Sequence, residues 1–305
     1  MNARVNIADA AEPVSASASA SASASASASA SASASAGEAA RPATPRLSPL
    51  ARQRLLSGLA LVGFFVAWEL VCLATGISDL VLPRPSQIAR VLIERMPLLW
   101  PHTVQTLYTT LLGFALGVAA GIVIGVGIGS SRLAYDVTYP LLVGFSSIPK
   151  VAVVPLFVVW FGAGTVPAVL TSMVISIFPV VVNVATGLAS TEPELEDVLR
   201  VLGARKRDIL WNVGLPRAMP YLFASLKIAI TLSFVGTVLS ETVASNRGIG
   251  TVMMIASGNF DVPMVFAGLF LLAAMGVVLY ALSALVERRV TGWSQRKTDL
   301  AATGA

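Results

Sequence analysis

A polar stretch at residues 194–220 interrupts a chain that otherwise consists of long apolar blocks. Its apolar residues recur at i, i+3, i+4 and i+7, which predicts a short helix with one apolar face made of Leu195, Val198, Leu199 and Leu202. Thr191 and Glu194 have the spacing of a capping box at the start of this helix. Gly203 is typical of the residue that ends one.

A second short helix is predicted after Gly203, running to about Val213. Pro216 and Pro220 are expected to break it, because proline removes a backbone donor and its ring clashes with the preceding turn. Two short helices that carry this much charge are unsuited to the interior of a bilayer. The stretch therefore predicts a surface on which another protein docks.

Composition sets the fold class. Apolar residues make up 55% of the 305 residues and charged residues 12%, which excludes an ordinary soluble domain and predicts an all-α, polytopic membrane protein. Six stretches are long and apolar enough to cross a bilayer, at residues 55–75, 103–129, 137–162, 166–189, 221–239 and 264–286. With the polar loop at 190–220 they define a transmembrane domain at residues 51–293.

The distribution of Lys and Arg predicts how these six spans are oriented. If both termini face the cytoplasm, the inside segments hold 15 of the 21 Lys and Arg residues and the outside segments hold four. Positive residues concentrate in cytoplasmic loops, so the polar loop is predicted to face the cytoplasm. The same rule explains the net charge of +5, and nucleic acid is not expected as a partner because no basic stripe with interleaved aromatics occurs.

Two polar tails flank this domain. Residues 1–50 contain an uninterrupted Ser-Ala repeat at 15–36, which buries too little apolar surface to become ordered and is not a signal peptide. It is predicted to be a disordered cytoplasmic tail. Residues 294–305 are predicted to form a second, short cytoplasmic tail.

The second predicted span carries a glycine at every fourth position, namely Gly113, Gly117, Gly121, Gly125 and Gly129. This spacing keeps the glycines on one slowly drifting face, where the backbone of another helix can approach closely. Helix packing is the simpler interpretation of the stripe. A hinge or a face that lines a pathway is the alternative.

Lys150 lies near mid-depth of the third predicted span, which Pro140, Pro149 and Pro155 are expected to interrupt. An amine at this depth is costly unless it meets water, a carboxylate or freed carbonyls, and transporters place substrate contacts on broken helices. Lys150 is therefore a candidate pathway residue, and Glu241, at the outer end of the fifth span, is a second. Alternatively, Lys150 reaches an interface or a buried partner and only holds the bundle together.

No catalytic, cofactor or metal site can be assembled from the sequence. It contains no GxxxxGK[ST] phosphate-binding loop, and Cys72 is its single cysteine. The single histidine, His102, lies at the end of a span, where a surface or interface position is expected. The chain is therefore not expected to be an enzyme.

The polar loop resembles the cytoplasmic loop of bacterial ABC importer permeases. That loop reads Glu-Ala-Ala, three residues, Gly, nine residues, Ile, one residue and Leu-Pro; the same spacing is met here by Asp197, Val198, Leu199, Gly203, Val213, Leu215 and Pro216. The acidic position holds Asp instead of Glu, and the two alanines are Val and Leu. The resemblance implies that the loop couples the chain to an ATPase subunit, through Glu194, Glu196, Asp197, Leu199, Gly203, Ala204, Val213, Leu215 and Pro216.

The resemblance extends over about residues 55–293. The stretches LPRPSQI, SSIPKVAVVPLFVVWFG and SETVASNRGIG are similar to the nitrate/sulfonate/taurine-type subgroup of these permeases. The resemblance implies a type I importer subunit of the bacterial inner membrane, paired as a homodimer. Its partners would be ATPase subunits that bind ATP and Mg²⁺ inside and a periplasmic substrate-binding protein outside. The solute would be small and anionic, moved by alternating access.

Two other functions are considered. A secondary transporter driven by an ion gradient would need paired intramembrane carboxylates or inverted repeats, and only Glu69 and Glu241 are available. A non-transporting membrane scaffold would carry a docking loop but no gated cavity, and the broken third span argues against it.

Overall fold

The computed structural model describes residues 49–191 and 193–302, and within this part of the chain every regular element is helical. The α-helices are α1 (Pro49–Thr75), α2 (Pro85–Glu94), α3 (Met96–Gly129), α4 (Arg132–Ser146), α5 (Val154–Phe161), α6 (Thr165–Ala189), α7 (Pro193–Val201), α8 (Lys206–Ile209), α9 (Leu215–Ala244), α10 (Ile249–Gly258) and α11 (Val262–Ala302). A 3₁₀ turn, Lys150–Val153, precedes α5, and a π-helical turn, Leu210–Gly214, joins α8 to α9. The all-α prediction is confirmed, whereas the Ser-Ala tail lies outside the described residues.

The chain forms two compact units, Met1–Val62 and Gly63–Ala305. Of the first unit the structure describes only residues 49–62, the first half of α1. The second unit contains the remainder of α1 and all the other helices.

Among residues 49–191 and 193–302, five helices are long and apolar enough to cross a membrane: Arg52–Thr75, Met96–Gly129, Thr165–Ala189, Lys206–Ala244 and Val262–Val290. A sixth crossing results if α4 and Lys150–Phe161 act as one span, since these two segments follow each other with a bend of 76°. The bend follows Pro149, whose backbone is extended. Pro140 lies inside α4, and Pro155 lies in the first turn of α5, where no N–H is needed. The prediction that three prolines break this span is therefore confirmed for Pro149 and wrong for Pro140 and Pro155.

Helix α6 lies at the centre of the second unit and packs against both α3 and α9. One half of this contact is aliphatic and consists of Val180, Val184, Leu188, Ala218 and Ala229. The other half contains hydroxyl groups: Ser172 and Ser233 are hydrogen-bonded to each other, and the Ser233 hydroxyl also approaches the Thr110 carbonyl at 3.0 Å. Hydrogen bonds between helices replace part of the hydrophobic driving force that lipid does not supply.

The segment predicted to lie outside the membrane, residues 76–101, contains the short helix α2, which begins at Pro85. Proline suits this position because the first helical N–H has no intrahelical acceptor. Glu69 of α1 accepts hydrogen bonds from the Ser86 backbone N–H at 3.0 Å and from the Ser86 hydroxyl at 2.8 Å. The carboxylate thus caps the amino end of α2, where negative charge is favourable.

The helix that leaves the polar loop is continuous from Lys206 to Ala244. The prediction that Pro216 and Pro220 break it is therefore wrong. The π-helical turn Leu210–Gly214 lies immediately before Pro216, and its wider spacing makes room for a proline ring that would clash with a regular α-helical turn. The fifth span thus begins on the polar loop and not at residue 221.

Two further helix ends differ from the prediction. Helix α3 begins at Met96 instead of residue 103, because Pro97 takes one of the first helical positions, which need no N–H donor. Helix α11 continues to Ala302, through most of the tail predicted at 294–305. Arg, Lys, Glu and Gln favour a helix almost as strongly as Leu, so the end of an apolar stretch does not mark the end of a helix.

An ion pair connects Lys227 of α9 to α11. Its Nζ atom lies 2.7 Å from Oε2 of Glu287 on α11, and both side chains are mostly buried. Removing one member of such a pair leaves the other charge uncompensated. The ion pair therefore joins α9 to α11.

Candidate coupling surface and solute pathway

Helix α7 ends at Gly203 in a Schellman motif. The N–H of Gly203 donates to the Arg200 carbonyl at 2.9 Å, and the N–H of Ala204 donates to the Leu199 carbonyl at 3.0 Å. Gly203 has φ +87°, in the region where a Cβ atom is disfavoured. The predicted helix end is confirmed, and it sets the direction in which the chain enters α8.

The apolar face predicted for α7 is not covered by the chain itself. Val198 is 57% exposed and Leu202 is 77% exposed, while Leu195 and Leu199 are half-buried. Val201, which the sequence pattern did not include, is 88% exposed. The helix and its end therefore present a continuous apolar surface to their surroundings. This surface, Val198, Val201 and Leu202, is called the α7 apolar surface below.

Acidic residues lie beside this surface. Glu194 and Asp197 are exposed, and Asp197 Oδ1 lies 3.2 Å from Arg200 Nη1 one turn on. The side chain of Glu196 lies outside the described residues. The predicted capping box does not form, since the Thr191 hydroxyl has no hydrogen-bond partner in the part of the chain that the structure describes. The reason is that α7 begins two residues later, at Pro193.

The remaining residues of the predicted coupling loop lie on the helix that enters the membrane. Val213 is in the π-helical turn, and Leu215 and Pro216 open α9. Arg205 precedes α8, and its N–H donates to Asp208 Oδ2 at 3.2 Å. The predicted site therefore consists of an exposed helix and a helical connection to the fifth span.

Lys150 borders a cavity of about 380 Å³ between the 3₁₀ turn and α6. The other lining residues are Ser146, Ile175, Phe178, Pro179, Val182, Asn183 and Leu232. Lys150 Nζ donates to the Ser146 carbonyl at 2.7 Å and lies 4.7 Å from the centre of the Phe178 ring. A carbonyl freed at the end of α4 and an aromatic face thus stabilise the ammonium group.

Glu241 lies in a different place, at the amino end of α10, and is only 2% exposed. Its Oε2 atom accepts hydrogen bonds from the Thr106 hydroxyl at 2.9 Å and from the Gly250 N–H at 3.1 Å. The Ile249 N–H donates to Thr106 Oγ1 at 2.9 Å, and the Gly248 N–H donates to His102 Nδ1 at 3.0 Å. Three side chains therefore accept from the first N–H groups of α10, which have no acceptor within the helix.

This arrangement changes the interpretation of two residues. Glu241, predicted as a pathway residue, is enclosed by protein and holds α10 against α3 and α9. His102, predicted at a surface or interface, is half-buried and contacts the backbone of Gly248. The signal that was missed is Gly248-Ile249-Gly250 after Glu241, since two glycines let a backbone approach a carboxyl group closely.

The glycine stripe of α3 lies against α6. A Cβ atom at Gly121 would lie 2.7 Å from Val180 Cβ, and one at Gly125 would lie 2.8 Å from Val184 Cβ. Gly113 and Gly117 face Ser172 and Ser176 in the same way. The stripe thus meets a matching stripe with the same spacing of four residues, and it contributes no residue to the lining of the Lys150 cavity.

Within the described part of the chain, no three His, Cys, Asp or Glu side chains come close enough together to hold a metal ion. Cys72 is buried and is not part of a disulfide.

The chain matches a known protein family over more than half of its length. The family model described as "binding-protein-dependent transport system inner membrane component" matches residues 113–292. The chain is 37% identical over 237 residues to the riboflavin transport system permease protein RibX of Chloroflexus aurantiacus, and the match covers 77% of this chain and 88% of RibX. It is 28% identical to the taurine transport system permease protein TauC of Escherichia coli, and the match covers 80% of this chain and 92% of TauC.

A third relative and a solved structure complete the comparison. The formylaminopyrimidine transport permease protein ThiX of Halalkalibacterium halodurans is 30% identical, and the match covers 80% of this chain and 98% of ThiX. The structure of the MetNI methionine ABC transporter in an inward-facing conformation has a similar fold, with a TM-score of 0.56 and 20% identity over 64% of this chain and 98% of that chain. At this identity the structural likeness concerns the fold alone.

Proposed function

The chain belongs to the family of binding-protein-dependent transport system inner membrane components, and we propose that two copies of it line the passage of a small anionic solute. Membership sets the class of function. The chain is the permease subunit of an ABC importer, a multi-pass protein of the bacterial inner membrane, and not an enzyme. Importers of this family act with an ATPase and a substrate-binding protein. A gradient-driven transporter and a passive scaffold are thereby set aside.

The proposed contact with the ATPase is the α7 apolar surface. Val201 and Leu202 are 88% and 77% exposed on the side that the Lys and Arg distribution assigns to the cytoplasm. An apolar surface beside exposed acidic residues is typical of a protein interface with an apolar centre and a polar rim. ATP and Mg²⁺ would be bound by the partner, and the acidic residues Glu194, Glu196 and Asp197 would set the register.

Movement of α7 has a direct route into the membrane. The turn at Gly203 connects it to the continuous helix Lys206–Ala244, which packs along α6. A partner that contacts α7 differently in two states of its own can shift the spans between two arrangements. This is the alternating access that the proposal requires.

The Lys150 cavity supports a solute that carries negative charge. Apart from Ser146 and Asn183, which are polar and uncharged, the rest of its lining is apolar, so the ammonium group is the feature that would select between solutes. The named relatives differ in their solutes, since RibX is named for riboflavin and TauC for taurine. Relationship alone therefore does not choose the solute, and Lys150 favours an anionic one such as a sulfonate.

A second copy of the chain is proposed because the cavity is not closed by one chain. Leu232 in its lining and the neighbouring Ile148 and Val151 are 37%, 50% and 46% exposed. A passage needs walls on every side, and a two-fold related copy would supply the missing one. Membrane lipid would cover the outer faces of both copies.

Reconstitution tests this function. The permease, the ATPase that co-purifies with it and its binding protein are placed in proteoliposomes, and uptake of radiolabelled taurine, an aliphatic sulfonate and riboflavin is measured. We expect uptake of a sulfonate that requires both ATP and the binding protein. Uptake without ATP, or uptake of riboflavin alone, would contradict the proposal of an anionic solute moved by an ABC importer.

Replacement of Lys150 tests the pathway. We expect Lys150→Gln to lower uptake of the anionic solute at low concentration by about tenfold, since a hydrogen bond to a charged group contributes about 1.5–3 kcal/mol. Lys150→Arg should retain more uptake because it keeps the charge. Arg90→Gln removes the same charge from the exposed face of α2 and serves as the control. Equal uptake by the Lys150→Gln and Arg90→Gln variants would remove Lys150 from the pathway.

A further inference from the structure

A second cavity, of about 370 Å³, lies at the end of the second unit that carries α7, away from the Lys150 cavity. It is formed by the end of α3, the start of α4, the end of α6 and the helices α7 and α8. Its lining consists of Gly129, Ser130, Ser131, Arg132, Leu188, Ala189, Thr191, Asp197, Arg200, Lys206, Ile209, Leu210 and Gly214. Of these residues, only Asp197 also belongs to the proposed contact with the ATPase.

The charge of the lining is positive. Among the lining residues that the structure describes, Arg132, Arg200 and Lys206 lie with one acidic residue, Asp197. Because Asp197 is paired with Arg200 at 3.2 Å, the excess positive charge of the cavity comes from Arg132 and Lys206. The amino end of α4, which begins at Arg132, adds its partial positive charge to the same wall.

A buried hydroxyl group also belongs to the lining. Thr191 is only 5% exposed, and its Oγ1 atom has no hydrogen-bond partner among the described residues. A buried hydroxyl without a partner costs about 1–3 kcal/mol, so a ligand that accepts a hydrogen bond from Thr191 would relieve this cost. Ser130 and Ser131, which are exposed, add two further hydroxyl groups to the lining.

We propose that this cavity binds a phosphate group through Arg132, Lys206 and Thr191. A guanidinium group binds two phosphate oxygens at once, an ammonium group adds a point charge, and hydroxyl groups donate to the remaining oxygens. The cavity lies at the ends of α3 and α6, both membrane spans, on the side assigned to the cytoplasm, where anionic lipid head groups are concentrated. The phosphate is that of an anionic phospholipid or of a soluble phosphate.

The binding is tested with the purified full-length chain in a non-ionic detergent. Its thermal unfolding is followed while dihexanoyl phosphatidylglycerol, inorganic phosphate or, as a reference, dihexanoyl phosphatidylcholine is added, with ionic strength held constant by sodium chloride. The test variant is Arg132→Gln with Lys206→Gln. The matched control is Arg205→Gln with Arg207→Gln, which removes two positive charges from exposed residues nearby that do not line the cavity.

We expect phosphatidylglycerol or inorganic phosphate, the two probes with net negative charge, to raise the Tm of the wild type and of the control variant, and zwitterionic phosphatidylcholine to leave it unchanged. The test variant should need about tenfold more of that probe or still more, since each lost charged hydrogen bond corresponds to tenfold or more in affinity. Stabilisation by phosphatidylglycerol alone identifies the lipid head group, and stabilisation by inorganic phosphate alone identifies a soluble ligand; both support the site.

Two results would overturn the site. One is an equal response of the test and control variants, which would mean that diffuse positive charge and not the cavity binds phosphate. The other is a wild-type Tm that neither phosphatidylglycerol nor inorganic phosphate raises above the phosphatidylcholine reference, which would mean that the cavity does not bind phosphate.

Discussion

Replacement of Gly113 by valine is expected to separate α3 from α6 and to prevent the chain from folding to a stable state. A Cβ atom at this position would lie 2.8 Å from the Val169 carbonyl oxygen and would also overlap Ser172. A backbone oxygen cannot rotate away, so the two helices would have to move apart along their central contact. Overpacking costs about 1–3 kcal/mol where side chains can adjust, so Gly113→Val should lower the free energy of unfolding by at least about 3 kcal/mol.

Gly127→Val on the same helix is the matched control for Gly113→Val. A Cβ atom at Gly127 meets nothing within 4 Å, so its Tm should stay close to that of the wild type. Size-exclusion chromatography and thermal unfolding in detergent give the comparison. Equal behaviour of the two variants would show that α3 and α6 do not pack as closely in the membrane as the structure shows.

Replacement of Glu241 by alanine is expected to have the second largest effect. It removes the acceptor of the Gly250 N–H and of the Thr106 hydroxyl, both buried, and leaves a void beside Gly248. The free energy of unfolding should fall by about 3 kcal/mol. For a domain of this size that corresponds to a Tm lower by about 6–12 °C.

Glu241→Gln separates hydrogen bonding from burial. An amide oxygen can still accept from Thr106 and Gly250, so this variant should lie between the wild type and Glu241→Ala in Tm. Glu94→Ala on the exposed face of α2 controls for the loss of a carboxylate. If Glu241→Ala unfolds at the same temperature as Glu94→Ala, the cap does not hold α10 in place.

The sequence predicted the features that depend on local chemistry. The fold class and the apolar spans follow from composition and hydropathy. The end of α7 at Gly203 follows from the need for a residue with positive φ, and the structure has φ +87° there. The spacing of the polar loop led to the family that the comparison then showed.

The sequence did not predict the features that depend on neighbours distant in the chain. Hydropathy could not show that Glu241 meets Thr106 of α3, 135 residues earlier. It could not show that Lys227 pairs with Glu287 of α11 either. An intramembrane carboxylate can line a pathway or cap a helix, and only the packing of three helices decides between the two.

Proline was misjudged for a related reason. Its effect depends on the turn that precedes it, and a π-helical turn before Pro216 removes the clash that a regular helix would impose. Pro149 breaks its span because the chain there leaves the helix for a 3₁₀ turn. The residue type is the same at both positions, and the local backbone differs.

The central claim is that the α7 apolar surface binds the ATPase, and co-purification tests it most directly. The ATPase is first identified by mass spectrometry of the material that co-purifies with the wild-type chain in mild detergent. Its retention is then measured with the double variant Val201→Glu and Leu202→Glu. The control is Val81→Glu with Ile93→Glu, two residues that are 72% and 74% exposed on the predicted outer side.

We predict that the control retains the ATPase as the wild type does and that the α7 variant retains at least about tenfold less, because a carboxylate placed in an apolar contact loses its hydration without gaining a partner. Its Tm should not change, because Val201 and Leu202 are exposed in the chain. Full retention of the ATPase by the α7 variant, together with normal ATP-dependent uptake, would contradict the claim.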